Sequence, residues 1–297
     1  MRILVTGSKG MLAAALLPVL RRRHQVWGID VEDCDICDAG AISAVLGSRQ
    51  PEFVIHLAAY TNVDGCEANP QLAEATNSTG TRNLATACAE VGAAMLYVST
   101  DYVFDGTKTG AYLEDDPPNP LSVYGRSKWL GEHHVRTLLK RYFIARTSWL
   151  YGPNGKNFVT TILKAAHQQK VLQVVNDQQG SPTFTRHLSL KIAELIETQA
   201  YGVYHTTGSG SCSWFDFART ILDLWPVEGV AVLPISSDES GRAARRPKNS
   251  VLENRALKQA HLGLMPPWKV ALAEYLDEIK QSGQAREFEE SKHGIAN

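Results

Sequence analysis

The first 150 residues alternate between short apolar runs and longer segments whose apolar positions recur at helical spacing. The runs cover residues 2–6, 25–29, 53–59, 94–100 and 142–148. The run at 53–59 is apolar on both sides, as are the buried strands of a parallel sheet. After the first run, Leu12, Leu16, Leu17 and Leu20 fall on one face of a helix. Strand and helix in regular succession predict an α/β protein with a doubly wound parallel sheet.

A glycine-rich turn follows the first predicted strand directly. Gly7 and Gly10 lie between that strand and the helical pattern, and Ala13 stands at a third small position. Strand, glycine turn and helix in this order are typical of a Rossmann-type dinucleotide site, in which the helix N-terminus holds the pyrophosphate. Asp30 ends the second strand about twenty residues later. A carboxylate there suits a free ribose 2′-hydroxyl and repels a 2′-phosphate, so the sequence predicts NADH or NADPH, with NADH favoured.

The regular alternation ends after Trp149, which predicts a smaller, discontinuous α+β substrate domain. We expect a dinucleotide-binding domain over residues 1–150, with a helix and a strand near 187–206 returning to its sheet. The substrate domain is then expected over residues 151–186 and 207–282. The polar residues 283–297 predict a disordered tail.

A candidate proton donor lies between the fourth and fifth predicted strands. Tyr124 and Lys128 are four residues apart in a helical pattern, so their side chains leave one face one turn apart. A neighbouring ammonium favours the phenolate and brings the phenol pKa down from about 10. Thr100 adds a hydroxyl at the carboxyl end of a strand, where ligands bind in open α/β sheets. The same spacing occurs on ordinary solvated helix faces, but the surrounding pattern favours a site that polarises and protonates a carbonyl group.

Charge and composition argue against several classes of partner. The 30 Lys+Arg and 31 Asp+Glu residues give a net charge of -1, which offers no electrostatic reason for nucleic acid or a membrane surface. No apolar stretch approaches the roughly 20 residues that span a bilayer, and the N-terminus does not resemble a signal peptide. Five cysteines among 297 residues do not suggest a disulfide framework, and Cys34-x-x-Cys37 has no second pair for zinc. We expect a cytoplasmic protein.

Four further segments carry a resemblance to a known family. They are residues 99–106 (STDYVFDG), 146–151 (RTSWLY), 176–183 (NDQQGSPT) and 245–250 (RRPKNS). With Asn77 and Tyr124-x-x-x-Lys128, they make the chain resemble the extended short-chain dehydrogenase/reductases and, among these, the dTDP-4-dehydrorhamnose reductases. The resemblance implies reduction of the C4 ketone of a dTDP-linked 6-deoxy-4-hexulose to dTDP-L-rhamnose by NADH or NADPH.

The resemblance also implies roles for individual residues. Tyr124 would protonate the ketone oxygen, Lys128 would hold the nicotinamide ribose and lower the tyrosine pKa, and Thr100 would hydrogen-bond the ketone. The implied substrate-binding residues are Thr100, Asp101, Trp149, Thr61 and Arg246. The implied cofactor-binding residues are Gly7, Gly10, Met11, Leu12, Asp30, Asp35, Ile36, Ala59, Tyr60, Thr61, Tyr124 and Lys128. A nucleotide-sugar substrate and a homodimer are expected, and no residue is assigned to the Mg²⁺ that some relatives bind between subunits.

Two segments leave their interpretation open. Tyr60 stands where relatives often have a histidine beside the cofactor, which puts that contact in question. Arg242, Arg245 and Arg246 form a cationic loop whose guanidinium groups suit a pyrophosphate, and a solvated surface loop is the alternative.

Other activities are also weighed. Tyr102 follows Asp101 where sugar-nucleotide 4,6-dehydratases carry a glutamate base, which argues against dehydration. An epimerase that retains NAD is not excluded by spacing. A non-catalytic subunit similar to the regulatory subunit of methionine adenosyltransferase is a further alternative, although an intact Thr100, Tyr124 and Lys128 favours an enzyme.

Overall fold

The computed structural model describes residues 1–282, and a parallel sheet of six strands forms its centre. The strands in chain order are β1 (Arg2–Thr6), β2 (Gln25–Ile29), β3 (Phe53–His56), β4 (Ala94–Thr100), β5 (Tyr142–Thr147), β6 (Leu150–Tyr151), β7 (Val171–Val175), β8 (Gln179–Gly180), β9 (Thr183–Phe184), β10 (Gly202–His205), β11 (Cys212–Ser213) and β12 (Ala231–Ile235). The central sheet has the spatial order β2-β1-β3-β4-β5-β10, and its neighbours pair in parallel. The predicted doubly wound sheet is confirmed.

Helices cover both faces of this sheet. The helices in chain order are α1 (Met11–Leu20), α2 (Ala39–Arg49), α3 (Val63–Ala68), α4 (Pro70–Glu74), α5 (Thr81–Val91), α6 (Val123–Leu138), α7 (Phe158–Gln168), α8 (Thr185–Leu195), α9 (Trp214–Leu224), α10 (Arg255–Gln259) and α11 (Trp268–Ser282). Ile3 and Val5 pack in one core with α1 and α8, whereas Leu4 between them packs with α2 and α5. Because successive strand residues point to opposite faces, a sheet covered on both faces requires the unbroken apolar runs seen in the sequence.

The last strand of the central sheet comes from the second half of the chain. β10 pairs with β5, with Gly202 opposite Phe143, and Leu188 and Ile192 of α8 lie in the same core as α1. Residues 185–205 therefore complete a layer begun by the first 150 residues. The division of the chain into a dinucleotide-binding domain and a substrate domain stays a prediction.

A second core lies among the later elements. Side chains of α7, α9 and α11 pack together with β7, around the fully buried Tyr151, Leu163, Phe217 and Leu272. Three small two-stranded sheets edge this region, namely β7 with β12, β6 with β9, and β8 with β11. Helix α7 begins after Asn157 and α9 after Ser213, and each starts with a capping box.

The third strand and the helix after it differ from the sequence prediction. β3 ends at His56 rather than at residue 59, and the buried His56 ring bonds Thr6 Oγ1 at 2.7 Å and Thr81 Oγ1 at 3.0 Å. Asn69 followed by Pro70 is typical of a helix start, so the sequence predicts one helix from there to about Val91. In the structure this stretch contains a π-helical turn at Ala75–Gly80, and the Asn69 side chain makes no capping hydrogen bond. The π turn arises beside the candidate site, where such turns are often found.

Two further expectations concern the ends and surfaces of the chain. The disorder predicted for residues 283–297 lies outside the described residues. Among residues 1–282, no helix combines the length and the apolar character that a membrane crossing requires.

Candidate active site

One cavity of about 830 Å³ lies beyond the carboxyl ends of β1, β3, β4 and β5. The sequence-predicted residues that line it are Gly7, Gly10, Met11, Leu12, Asp30, Asp35, Ile36, Ala59, Thr61, Thr100, Asp101, Tyr124, Lys128 and Trp149. Side chains from distant parts of the chain meet here because all the strands of a parallel sheet present their carboxyl ends at one edge. The structure thus brings together most of the predicted site in a single cleft.

The glycine turn at one end of this cavity has no room for side chains. Gly7 has a φ of +68°, and a Cβ atom there would lie 2.7 Å from the backbone nitrogen of Ala58. Helix α1 starts after Gly10, which offers no side-chain cap, so the first N–H groups of the helix are open to a ligand. A pyrophosphate fits this arrangement, since a helix N-terminus attracts negative charge.

Asp30 lies at the end of β2 beside the glycine turn. Its Oδ2 accepts a hydrogen bond of 2.8 Å from the backbone N–H of Lys9. The Lys9 ammonium pairs at 3.0 Å with Glu32, and both of these side chains are exposed. The Asp30 carboxylate therefore stands where the sequence predicts contact with the ribose, and a solvated cation lies within the same turn.

The loop after β3 is held by the π-helical turn. The Asn77 side chain accepts from the Tyr60 backbone N–H at 2.8 Å and donates to the Tyr60 carbonyl oxygen at 3.0 Å and to Ser127 Oγ at 3.0 Å. Ala59 and Thr61 on either side line the cavity. Tyr60 itself lies outside the cavity lining, with its hydroxyl next to Gly65, and its contact with the cofactor stays a prediction.

Tyr124 and Lys128 leave the first two turns of α6, next to the end of β4. Ser122 caps this helix by accepting from the Gly125 N–H at 3.1 Å. Lys128 is buried, donates to the Val98 carbonyl oxygen at 2.8 Å and lies 4.1 Å from the centre of the Tyr97 ring. The ammonium is thereby fixed against β4, close to the strand end that carries Thr100.

Burial acts on the protonation equilibria of both members of this pair. Burial raises the pKa of Tyr124, and the hydrogen-bonding hydroxyl of Thr100 is the neighbour that lowers it. Burial also lowers the pKa of Lys128 to about 7, against the opposing charge of Glu132. Burial of the phenol therefore acts against the lowering of the tyrosine pKa that the sequence predicts from Lys128, and that lowering stays a prediction.

Two polar atoms of the cavity wall have no hydrogen-bond partner within the described chain. They are Oδ2 of Asp101 and Oγ1 of Thr147, and both are buried. The other carboxylate oxygen of Asp101 accepts from Thr100 Oγ1 at 3.0 Å. Burial raises the pKa of Asp101 to about 7, although nearby hydroxyl groups oppose the shift. Buried polar atoms are costly to leave unpaired, and the hydroxyl groups that act on the Asp101 pKa are those of Ser250 and Thr100.

Trp149, which lines the cavity, stacks on an aromatic residue outside the lining. Trp149, the second residue after β5, has a φ of +47°. Its indole lies nearly parallel to that of Trp214, with ring centres 3.5 Å apart. The resemblance implied Trp149 as a substrate-binding residue, and its stack with Trp214 was not anticipated.

The cationic loop lies at a separate cavity of about 590 Å³, lined by Arg242, Arg245 and Arg246. Arg246 does not line the main cavity. Its guanidinium makes hydrogen bonds of 3.1 and 2.8 Å to the two oxygens of Asp64 in α3, and these bonds hold the pKa of Asp64 below its usual range. Tyr102 is a neighbour of both Tyr124 and Arg246, since its ring packs edge-on against Tyr124 with ring centres 5.9 Å apart and the charge of Arg246 acts on its pKa.

Several residues of the main cavity were missed by the sequence analysis. They are Lys9, Leu72, Thr76, Thr147, Ser148 and Lys156, together with Cys34 and Cys37. Thr147 and Ser148 could have been found, because they lie at the end of a predicted strand. Lys156 comes from a loop without a motif. Among residues 1–282, no group of three or more His, Cys, Asp or Glu side chains is placed to hold a metal ion.

Comparisons with known proteins agree with this geometry. The family model for the RmlD substrate binding domain matches residues 1–281. A dTDP-4-dehydrorhamnose reductase of Aggregatibacter actinomycetemcomitans is 39% identical over 285 residues, which cover 91% of this chain and 97% of that protein. The structure of a dTDP-4-dehydrorhamnose reductase from Clostridium acetobutylicum is similar with a TM-score of 0.92 and 40% identity, covering 94% of this chain and 100% of the other.

A third similar protein was solved with a coenzyme. It is the dTDP-4-dehydrorhamnose reductase of Bacillus anthracis in complex with NADP, with a TM-score of 0.91, 40% identity, and coverage of 93% of this chain and 99% of that one. The chain therefore belongs to the family of the RmlD substrate binding domain, the dTDP-4-dehydrorhamnose reductases of the extended short-chain dehydrogenase/reductase superfamily.

Proposed function

We propose that this enzyme reduces the C4 ketone of dTDP-4-dehydrorhamnose to dTDP-L-rhamnose with NADH or NADPH. One observation carries the proposal: Thr100, Tyr124 and Lys128 meet in the same cavity as the glycine turn at Gly7. A reducible carbonyl held there would lie between a proton donor and a bound nicotinamide. The family membership supplies the substrate class.

Each residue of the cavity would have its own role in catalysis or binding. Tyr124 donates its phenolic proton to the ketone oxygen as C4 is reduced, and its raised pKa keeps that proton in place until the oxygen gains charge. Thr100 orients the ketone by a hydrogen bond, and Lys128 holds the coenzyme ribose. Asp101 accepts a sugar hydroxyl at its unpaired Oδ2. Bound NAD(P)H supplies the hydride, and the protein supplies orientation and electrostatics.

The preference for NADH is part of this proposal. The Asp30 carboxylate, already bonded to the Lys9 N–H, lies where a 2′-phosphate would meet like charge. Two observations argue for NADPH as well. The Lys9 ammonium in the same turn carries a positive charge that could attract the 2′-phosphate, and the relative from Bacillus anthracis binds NADP. We therefore expect both coenzymes to be used, with NADH favoured.

The cavity beside the cationic loop would hold the nucleotide half of the substrate. Arg242 and Arg245 are exposed, while Arg246 is mostly buried and held by Asp64. A guanidinium fixed in this way presents hydrogen-bond donors to a diphosphate without losing further side-chain freedom. The proposal includes a homodimer, which rests on the family resemblance, and a cytoplasmic location, which rests on the sequence composition.

The test is NADH oxidation at 340 nm with dTDP-4-dehydrorhamnose generated in situ. The wild-type protein should oxidise the coenzyme, and Tyr124→Phe should lower kcat by orders of magnitude while NADH binding is retained. Tyr142→Phe is the matched control, because it removes a phenol at the start of β5, outside the cavity lining. Tightly retained NAD⁺ without net oxidation would indicate an epimerase, and no turnover of any 4-keto hexulose would indicate a non-catalytic subunit.

A further inference from the structure

Trp149 has a backbone conformation that is unfavourable for a residue with a bulky side chain. A φ of +47° lies in the left-handed region, which a bulky L-residue rarely adopts. Such a conformation persists only where the surrounding structure enforces it. The Trp149 backbone is fixed in part by its carbonyl oxygen, which accepts from the Thr183 N–H at 3.2 Å.

Two neighbours fix the indole itself. The first is Trp214, which stacks on it with an angle of 9° between the ring planes. The second is Gly180, where a Cβ atom would lie 2.4 to 2.7 Å from three atoms of the Trp149 indole. Any other residue at position 180 would therefore push the ring away.

Both neighbours belong to one small structural unit. Gly180 in β8 pairs with Cys212 in β11, and Trp214 begins α9 immediately after that strand. The Ser213–Asp216 capping box fixes the start of α9. The Trp214 ring is packed in turn against Phe158, with ring centres 4.5 Å apart. The position of Trp214 is thus set by residues that lie away from the chemistry.

We propose that Trp214 is a positioning residue for substrate recognition, which holds the Trp149 indole as a fixed apolar wall for the deoxysugar. This inference rests on the proposed function for the identity of the ligand. Trp149 lines the same cavity as Thr100 and Tyr124, so the wall faces the groups that act on C4. An apolar wall opposite a few convergent polar groups is the usual way in which a pocket orients a small ligand. A glycine is required at position 180 because a Cβ atom there would overlap the Trp149 indole.

The inference predicts a separation of kinetic effects. Trp214→Leu removes the stack but leaves Thr100, Tyr124 and Lys128 in place. The KM for the 4-keto sugar nucleotide should rise by about tenfold or more, because a loosened wall misplaces the sugar, while the KM for NADH stays unchanged. Gly180→Ala should act in the same direction with Trp214 intact. Phe215→Leu, at the next position of the same helix, is the matched control and should leave the KM for the sugar unchanged.

A spectroscopic measurement tests the wall without turnover. In protein labelled with 5-fluorotryptophan, the ¹⁹F resonance of Trp149 is identified by its loss in Trp149→Phe. It should shift and broaden in Trp214→Leu and Gly180→Ala, but not in Phe215→Leu. An unchanged resonance in both variants, or an equal rise in KM for Phe215→Leu, would overturn the inference. If Trp214→Leu does not fold, Trp214→Phe replaces it and should show the same changes to a smaller extent.

The two proposals can fail separately. If the wild-type protein does not reduce the 4-keto sugar nucleotide, the proposed function fails, and the ¹⁹F measurement still decides whether Trp214 and Gly180 hold Trp149. If reduction proceeds but Trp214→Leu keeps the wild-type KM for the sugar, the positioning role fails and the reductase assignment stands.

Discussion

Replacing Arg146 by methionine should destabilise the protein strongly, although this residue does not line the main cavity. Arg146 in β5 and Glu132 in α6 are each 1% exposed. The guanidinium donates to the two Glu132 oxygens at 2.9 and 2.7 Å, and the hydroxyl of Ser99 donates to Glu132 at 2.6 Å. The variant leaves the Glu132 carboxylate buried, with the Ser99 hydroxyl as its remaining hydrogen-bond donor among those described and Lys128 as the neighbouring cation.

The expected magnitude follows from this burial. Removing one partner of a buried ion pair costs about 3–5 kcal/mol, since the remaining charge stays in a medium of low dielectric. With about 2.1 cal/mol/K of unfolding entropy per residue over 297 residues, this corresponds to a fall in Tm of roughly 5–8 °C. Urea unfolding of the ligand-free protein, followed by circular dichroism, would measure the free energy directly.

Two further variants decide whether the buried charge is the cause. Lys258→Met breaks an ion pair with Glu253 whose side chains are 54% and 39% exposed, so about 0–1 kcal/mol should be lost. The double variant Arg146→Met/Glu132→Leu removes both charges and should recover most of the lost stability. Equal losses for Arg146→Met and Lys258→Met, or a double variant less stable than Arg146→Met, would refute the reasoning.

Four shorter predictions concern the cavity and pH. Gly7→Ala should reduce NADH affinity at least tenfold in fluorescence titrations, because its Cβ would meet Ala58 and its φ is positive. Asp30→Asn should raise kcat/KM for NADPH relative to NADH, and an unchanged ratio would argue against coenzyme selection by this carboxylate. Burial lowers the pKa of Lys128 to about 7, so kcat/KM for the coenzyme should fall as the pH rises above 7, and a flat profile to pH 9 would contradict a role for the ammonium. Burial lowers the pKa of His56 from 6.5 to about 3. Unfolding therefore takes up a proton at low pH, and the free energy of unfolding falls as the pH drops below 6.5. The variant His56→Gln should reduce the difference in urea stability between pH 7.5 and pH 5.

The sequence predicted best where local pattern decides the structure. β4 covers the residues of its apolar run, from Ala94 to Thr100, because both of its faces are buried. β3 was predicted three residues too long, since apolar Leu57 to Ala59 continue the pattern but line the cavity beyond the end of the strand. The π turn at Ala75–Gly80 had no signal in the hydrophobic pattern. It depends on contacts that Asn77 makes with a loop formed earlier in the chain.

In the candidate site too, local motifs were predictable and contacts between distant residues were not. The motif residues Gly7, Thr100 and Lys128 line one cavity, because strand ends converge in any parallel sheet, and their roles stay predictions. The partners of these residues were beyond the reach of sequence patterns. Arg246 binds Asp64 across 182 positions of the chain, and Trp214 reaches Trp149 through a packing arrangement that the local sequence of neither residue predicts.

The origin of β10 has a consequence for how the protein must be made. A fragment released at residue 150 would end with β5 as an open sheet edge, and Phe143 would lack the cover of Tyr204 and of Leu188 and Ile192 in α8. Open edges and bare apolar faces recruit other chains, so such a fragment should aggregate. On the ribosome, the nucleotide-binding layer therefore cannot close until about two-thirds of the polypeptide has emerged, which makes its biosynthesis sensitive to pauses in the stretch between β5 and β10.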